Sequence, residues 1–75
     1  MFYTEVFSLI KQIPGIKFKR KVWPDAYIVQ DSNNINNIIY HRSSIIDNTL
    51  IETDQKYYPC MSDIAADDWE EYICI

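Results

Sequence analysis

Val6-Phe7-Ser8-Leu9-Ile10-Lys11-Gln12-Ile13-Pro14-Gly15-Ile16-Lys17-Phe18-Lys19-Arg20-Lys21-Val22 changes its hydrophobic period in mid-course, and that change decides the fold. Up to residue 13, Val6, Leu9, Ile10 and Ile13 recur at i, i+3, i+4 and i+7, the stripe of an amphipathic helix. Thr4 stands where an N-cap is wanted, and Pro14-Gly15 ends the run. From Ile16 the period is two: Ile16, Phe18 and Val22 alternate with Lys17, Lys19 and Lys21, as in a strand with one buried face. A helix stripe can be buried only against another layer, and the next segment is strand-like, so a helix laid on a sheet is expected. Arg20 falls on the apolar side of that strand. Being permanently charged, it must meet a carboxylate, a carbonyl or a bound anion there.

Outward from this stretch, Pro24-Asp25 reads as a turn and Ala26 to Gln30 as the return strand. Asp31-Ser32-Asn33-Asn34 is a turn signal, because short polar side chains bond their own backbone. Ile35 to Arg42 resumes strand character, Ser43 to Asn48 fits neither period, and Thr49 to Thr53 reads as a short strand before an Asp54-Gln55 turn. Ser62 is placed to cap a helical turn over Asp63 to Ala66, with Asp63 suited to the helix dipole. Trp69 to Ile75 reads as a closing strand, with Trp69, Glu71, Ile73 and Ile75 on one side and Glu70, Tyr72 and Cys74 on the other. The expected architecture is a single α+β domain spanning residues 1–75: an N-terminal amphipathic helix packed on a small antiparallel sheet of four to five strands, with a short helical turn before the last strand.

A chain of 75 residues buries a modest core, and such chains lean on disulfides, a metal or association with further copies. Cys60 and Cys74 are too few for a disulfide framework or a zinc site, so association is the remedy left, and no cofactor or metal is expected. No apolar run approaches the roughly 20 residues of a membrane span, and residues 1–5 lack the layout of a signal peptide, which points to the cytoplasm and to no membrane partner. A net charge of −4 argues against binding nucleic acid by backbone neutralisation. The charge is uneven: Lys17, Lys19, Arg20 and Lys21 cluster near the amino end, and Asp63, Asp67, Asp68, Glu70 and Glu71 near the other. Six tyrosines and two tryptophans exceed what one small core needs, so some should line a binding surface.

Catalytic chemistry is hard to assemble. His41 is the sole histidine and has no evident partner nearby in sequence, the pairs Asp67-Asp68 and Glu70-Glu71 point to opposite faces of a strand, and the single glycine, Gly15, excludes phosphate loops that need several. A binding protein, not an enzyme, is expected.

Two stretches acquire a second meaning together. Gly15-Ile16-Lys17-Phe18-Lys19-Arg20-Lys21-Val22-Trp23, preceded by the helix, resembles the opening of the second class of Thoeris anti-defence proteins, a family of small phage proteins in which helix, glycine, basic strand, arginine, two residues and tryptophan recur. Tyr57-Tyr58-Pro59-Cys60-Met61-Ser62-Asp63-Ile64-Ala65-Ala66-Asp67-Asp68-Trp69 is similar to that family's closing signature, an aromatic residue, a proline and an Asp-Leu-Leu-Ala-acid-Asp-Trp run in this spacing. The resemblance implies a homo-oligomer, tetramer or dimer, that sequesters a cyclic ADP-ribose-type immune signal, or cyclic oligonucleotides in related proteins, in pockets between subunits and never cleaves it.

The residues expected at such a site are Arg20 for phosphate, Trp23 and Tyr57 for stacking on a base, and Ser62 and Asp63 for ribose hydroxyls. All but Tyr57 have a structural alternative: Arg20 paired with Asp63 or Asp68, the tryptophans packed on the helix, Ser62 and Asp63 capping a turn. Trp69 is read as core. A competing function is a phage inhibitor that binds a host defence protein directly, such as an anti-CRISPR using the acidic carboxyl-terminal end as a charge mimic. A structural subunit of a virion or complex is a third.

Overall fold

A computed structural model describes residues 1–73, Ile35 by its backbone alone. Helix α1 runs Tyr3–Gln12, followed by strands β1 (Lys17–Arg20), β2 (Ala26–Asp31), β3 (Asn34–Ile46) and β4 (Thr49–Lys56), helix α2 (Met61–Ala65) and strand β5 (Trp69–Glu71). The protein is α+β, with five antiparallel strands in one open sheet of order β4-β3-β2-β1-β5 and a short helix before the last strand.

The helix stripe behaves largely as its spacing dictates. Val6 and Ile10 are buried, Leu9 packs partly against the core, and Ile13, which comes after the helix as its C-cap, is left 45% exposed. Phe2 precedes the helix in extended conformation, and its carbonyl accepts the N–H groups of Glu5 and Val6 at 3.1 and 3.2 Å. Thr4 lies inside the first turn, so the cap role expected of it is not taken; the backbone carbonyl serves and no side chain does. Gly15, at φ +87°, reverses the chain where an L side chain would be strained.

Strand β1 is shorter than its alternation suggested. It ends at Arg20, and Val22 and Trp23 lie beyond it in a turn, with Val22 66% exposed. Phe18 pairs across to Ile28, and Ile28 to Tyr40, so alternate residues share a face. Phe18, Arg20, Ile28, Ile38, Tyr40 and Trp69 lie on the side that the helices cover. Around α1 they gather Tyr3, Val6, Ile10, Phe18, Ile28, Ile38 and Trp69 into the core. Phe18, Ile10, Ile28 and Val6 are fully buried, each contributing about 1.5–3 kcal/mol by leaving water.

The turn at Ser32-Asn33 forms where expected, with Asp31 Oδ1 accepting the Asn33 N–H at 2.9 Å. The next turn does not. β3 continues through Ser43 to Ile46, the chain reverses at Asp47-Asn48, and Asp54-Gln55, expected as a turn, lies within β4. Asp47 and Asn48 take φ of 52° and 62°, the paired left-handed conformation of a two-residue hairpin turn. Every residue of β4 is exposed, so the far half of this hairpin stands out from the body as an arm.

α2 is capped by Cys60, again with no side-chain hydrogen bond, and Ser62 is its second residue, not the cap expected. β5 is shorter than expected, and Cys74 and Ile75, assigned to it from the sequence, lie outside the described residues. Among the described residues no helix is long and apolar enough to cross a membrane.

Candidate functional site

β1 and β5 bring together two segments nearly fifty residues apart. Arg20 and Trp69 are register partners, which sets the Arg20 guanidinium against the α2–β5 connection. Its Nε donates to Asp68 Oδ1 at 3.0 Å, its Nη2 to Asp68 Oδ2 at 3.4 Å, and its Nη1 to Asp63 Oδ1 at 3.1 Å. Tyr57 Oη donates to the other Asp63 oxygen at 2.8 Å, and Trp69 Nε1 donates to the Asp63 carbonyl at 3.0 Å. Asp63, 9% exposed, is therefore the knot that ties β1, the β4–α2 connection and β5 together.

These contacts set the proton affinity of each partner. Burial by itself would raise the Asp63 carboxyl; hydrogen bonds from Tyr57, then Arg20, outweigh it and hold the group below the usual carboxylate range. Asp68 is held low chiefly by its hydrogen bonds from Arg20. The Tyr57 phenol is pushed far up, first by burial and then by its bond to Asp63, so it stays a donor. Arg20 thus takes the carboxylate-pairing role that was the alternative to phosphate contact. One guanidinium against two carboxylates leaves this cluster net negative, a poor seat for a further anion.

Next to the knot is a cleft of about 440 Å³ lined by Trp23, Tyr40, Arg42, Gln55, Lys56, Tyr57, Tyr58 and Asp63. Its rings come from three segments: Trp23 from the β1–β2 turn, Tyr40 from β3 and Tyr57 from just past β4. Trp23 meets Tyr40 edge-on at 5.3 Å and Trp69 at 5.1 Å, and Tyr40 and Tyr57 lie nearly parallel, 6.1 Å apart. Trp69 forms the buried base of this ring cluster, while Trp23, Tyr40 and Tyr57 keep part of their surface open. Two further hollows adjoin: an apolar one of about 280 Å³ that shares Tyr57 and Lys56 and is walled by Tyr3, Phe7 and Ile38, and one of about 450 Å³ that shares Trp23, Tyr40 and Arg42. Arg42 and Lys56, both exposed, stand where these hollows meet.

Of the residues expected at a site, Trp23, Tyr57 and Asp63 line the cleft together, Arg20 supports it from behind through Asp63, and Ser62 is exposed on α2 outside the lining. Sequence reasoning missed Tyr40, Arg42 and Lys56. Tyr40 and Arg42 are two apart on one strand and so share a face, and Lys56 adjoins Tyr57; those are the signals they left.

The opposite face of the sheet gives His41 partners that its sequence neighbourhood did not suggest. Its Nδ1 meets the Asp54 carboxylate across the β3–β4 ladder, and Ser43 Oγ lies 3.4 Å from its Nε2. Serine, histidine and aspartate thus stand in the order of a nucleophile, base and orienter. Among the described residues, the surroundings of this trio differ from those of such a site. Glu52 lies 3.8 Å from the same Nε2, Asp54 and Glu52 are more than half exposed, and the Ser43 N–H is spent on the Asp25 carbonyl at 2.9 Å instead of facing an oxyanion. Among the described residues no group of three His, Cys, Asp or Glu side chains could hold a metal ion.

Comparison of the chain with protein-family models, with curated proteins and with solved structures yields no match.

Proposed function

We propose that the chain is a phage anti-defence protein that sequesters a small cyclic nucleotide signal, of the cyclic ADP-ribose type, without cleaving it, acting as a homo-oligomer in the host cytoplasm. The observation that carries this reading is the cleft itself: three partly open aromatic rings, a buried carboxylate and two exposed cations within one 440 Å³ hollow. Ring faces of Trp23, Tyr40 and Tyr57 suit a purine, since stacking is worth about 1–3 kcal/mol per base. Asp63, already ionised and fixed by Arg20 and Tyr57, suits ribose hydroxyls. Phosphate is assigned to Arg42 and Lys56 and away from Arg20, because the cluster of Arg20, Asp63 and Asp68 carries surplus negative charge. The sequence resemblance to Thoeris anti-defence proteins of the second class supports the same ligand chemistry.

A stoichiometric sponge needs a Kd near nanomolar, about −12 kcal/mol. A cleft open on one side seldom reaches that, so closure by a second copy is part of the proposal. The competing reading, a charge mimic that binds a host protein, is less well supported. Asp63 and Asp68 are neutralised in part by Arg20, and Glu70 by Lys19 at 3.3 Å, which removes much of the acidic end from outward display.

Calorimetric titration of the purified chain with cyclic ADP-ribose isomers and cyclic dinucleotides tests the proposal, followed by heating and chromatography of the released material. Tight binding and an intact nucleotide are expected. No heat with any of them would sink the reading, and recovery of a hydrolysed product would sink its non-catalytic half.

A further inference from the structure

The face of the sheet turned away from α1 and α2 is apolar along its middle and charged at its two sides. Tyr27 and Val29 of β2 lie beside His41 and Ile39 of β3, and all four line one groove of about 670 Å³. Tyr72 adds a ring 4.9 Å from that of Tyr27, and the band runs out along the arm to Ile45 and Leu50, which are 75% and 61% exposed. Among the described residues no helix or strand lies over this face. On one flank β1 presents Lys17 and Lys19, the latter paired with Glu70 of β5, with Lys21 just past its end; on the other β4 presents Glu52 and Asp54, with Lys56 as its last residue.

We propose that this face packs against the same face of a second copy, forming a dimer of two sheets back to back with their aromatic clefts turned outward. Charge arrangement selects the occupant. A two-fold axis that runs along the strands between β2 and β3 carries β4 of one copy over β1 of the other; with Val29 and Ile39 meeting near the axis, the register sets Asp54 over Lys19 and Glu52 over Lys21 twice over, and leaves Lys17 opposite Lys56 at one end. Edge pairing of two β4 strands does the reverse. In any register centred on the strand, Glu52 or Asp54 is set opposite a carboxylate of the second copy, which is repulsive. The edge is thus guarded and the face is complementary. Five strands at about 4.8 Å spacing make a face about 24 Å across, of the order needed for a stable dimer burying roughly 800 Å² per partner. A core confined to one side of the sheet has reason to gain from covering the other. The proposal stands apart from the nucleotide reading, whose cleft lies on the helix side.

The test is a charge exchange on the full chain, read as native mass by sedimentation. One variant carries Glu52→Lys and Asp54→Lys, the other Lys19→Glu and Lys21→Glu. Each alone sets like charges face to face and is expected at half the wild-type mass; mixed in equal amounts they are complementary again and regain it. Ile39→Glu, which touches neither flank, is expected to halve the mass as well, with near-ultraviolet circular dichroism reporting that the core is kept. A wild-type monomer, an Ile39→Glu chain at wild-type mass with its core intact, or folded charge variants that fail to recombine would each overturn the dimer. Titrating the same samples with cyclic ADP-ribose separates the two ideas: a wild-type monomer that still binds nucleotide rejects this inference alone, and a wild-type dimer that binds no nucleotide rejects the cleft alone.

Discussion

The two halves of β3 belong to different structures. Around Ile38 the strand is sandwiched by its neighbours in the sheet and by α1, and Ile38 is 7% exposed; around Ile45 and Ile46 it has only β4 beside it, and those side chains are 75% and 55% exposed. In the body, burial holds the strand, and its hydrogen bonds form as a consequence. In the arm the ladder must stand almost without burial, and a two-stranded ribbon is marginal in water by itself. Residues of the same type in one strand should therefore carry different energetic weight.

The largest expected effect tests that contrast directly. Phe18→Ala empties the middle of the core and should cost about 3–5 kcal/mol, enough to unfold much of a small domain, whereas Ile46→Ala on the arm should cost no more than about 0.5 kcal/mol. Urea titration monitored by tryptophan fluorescence reads both. If the two variants lost comparable stability, the arm would be part of the core and the contrast would fail.

Next in size is Arg20→Met, which leaves the Asp63 carboxylate without its cationic partner and should cost about 1–3 kcal/mol at neutral pH. Asp63 and Asp68 are both held below their unfolded values, so their contribution is complete above the unfolded carboxylate range near pH 4 and is lost as pH falls through the folded values. The gap between wild type and Arg20→Met should therefore shrink as the solution is acidified. A gap that stayed constant down to pH 2 would mean that Arg20 acts through packing and not through charge.

The same division of the molecule marks what could be read in the sequence. α1, β1, β2 and the Asp31–Asn34 turn were legible because each has one buried face, which stamps a period of 3.6 or 2 on the residues, or a turn built from side chains that bond their own backbone. The arm was not. Ile45-Ile46 and Leu50-Ile51 place apolar side chains on both faces of the ribbon, which erases alternation, and the turn between them is Asp47-Asn48, with no glycine to announce its positive φ. Much the same holds for the site. Trp23, Tyr57 and Asp63 sit in or beside turns where an aromatic or acidic residue stands out, while Tyr40 and Arg42 look like ordinary strand residues until β2, β4 and the Tyr57 segment close around them. Thr4 and Ser62 fit the composition of helix caps, but the backbone at Phe2 and Cys60 supplies the entry geometry instead.

Of intermediate size is the effect of the cations at the mouth of the cleft. Arg42→Ala and Lys56→Ala should each weaken nucleotide binding about tenfold, the loss of one charge-assisted contact, with little change in urea midpoint because both side chains are exposed. Arg42 arises from the arm side of β3 and Lys56 from the end of β4, so the pair asks whether the base of the arm belongs functionally to the body. Unchanged affinity in both would detach the arm from the site and return phosphate binding to some other group.

The smallest effect probes the arm by itself. Asn48 holds φ at 62°, a conformation that costs an L residue free energy and glycine almost none, while glycine adds entropy to the unfolded chain. The balance for Asn48→Gly in a two-residue turn of this type favours glycine, by roughly 0.5 kcal/mol. The contrast along β3 has the arm open without the body, and the gain should then appear locally: amide exchange in the outer rungs, Ser44 with Ile51 and Ile46 with Thr49, should slow about twofold, and the global unfolding midpoint should stay in place. A midpoint that rose instead, with exchange in the body slowing equally, would show that arm and body open together, and the distinction drawn along β3 would have to be given up.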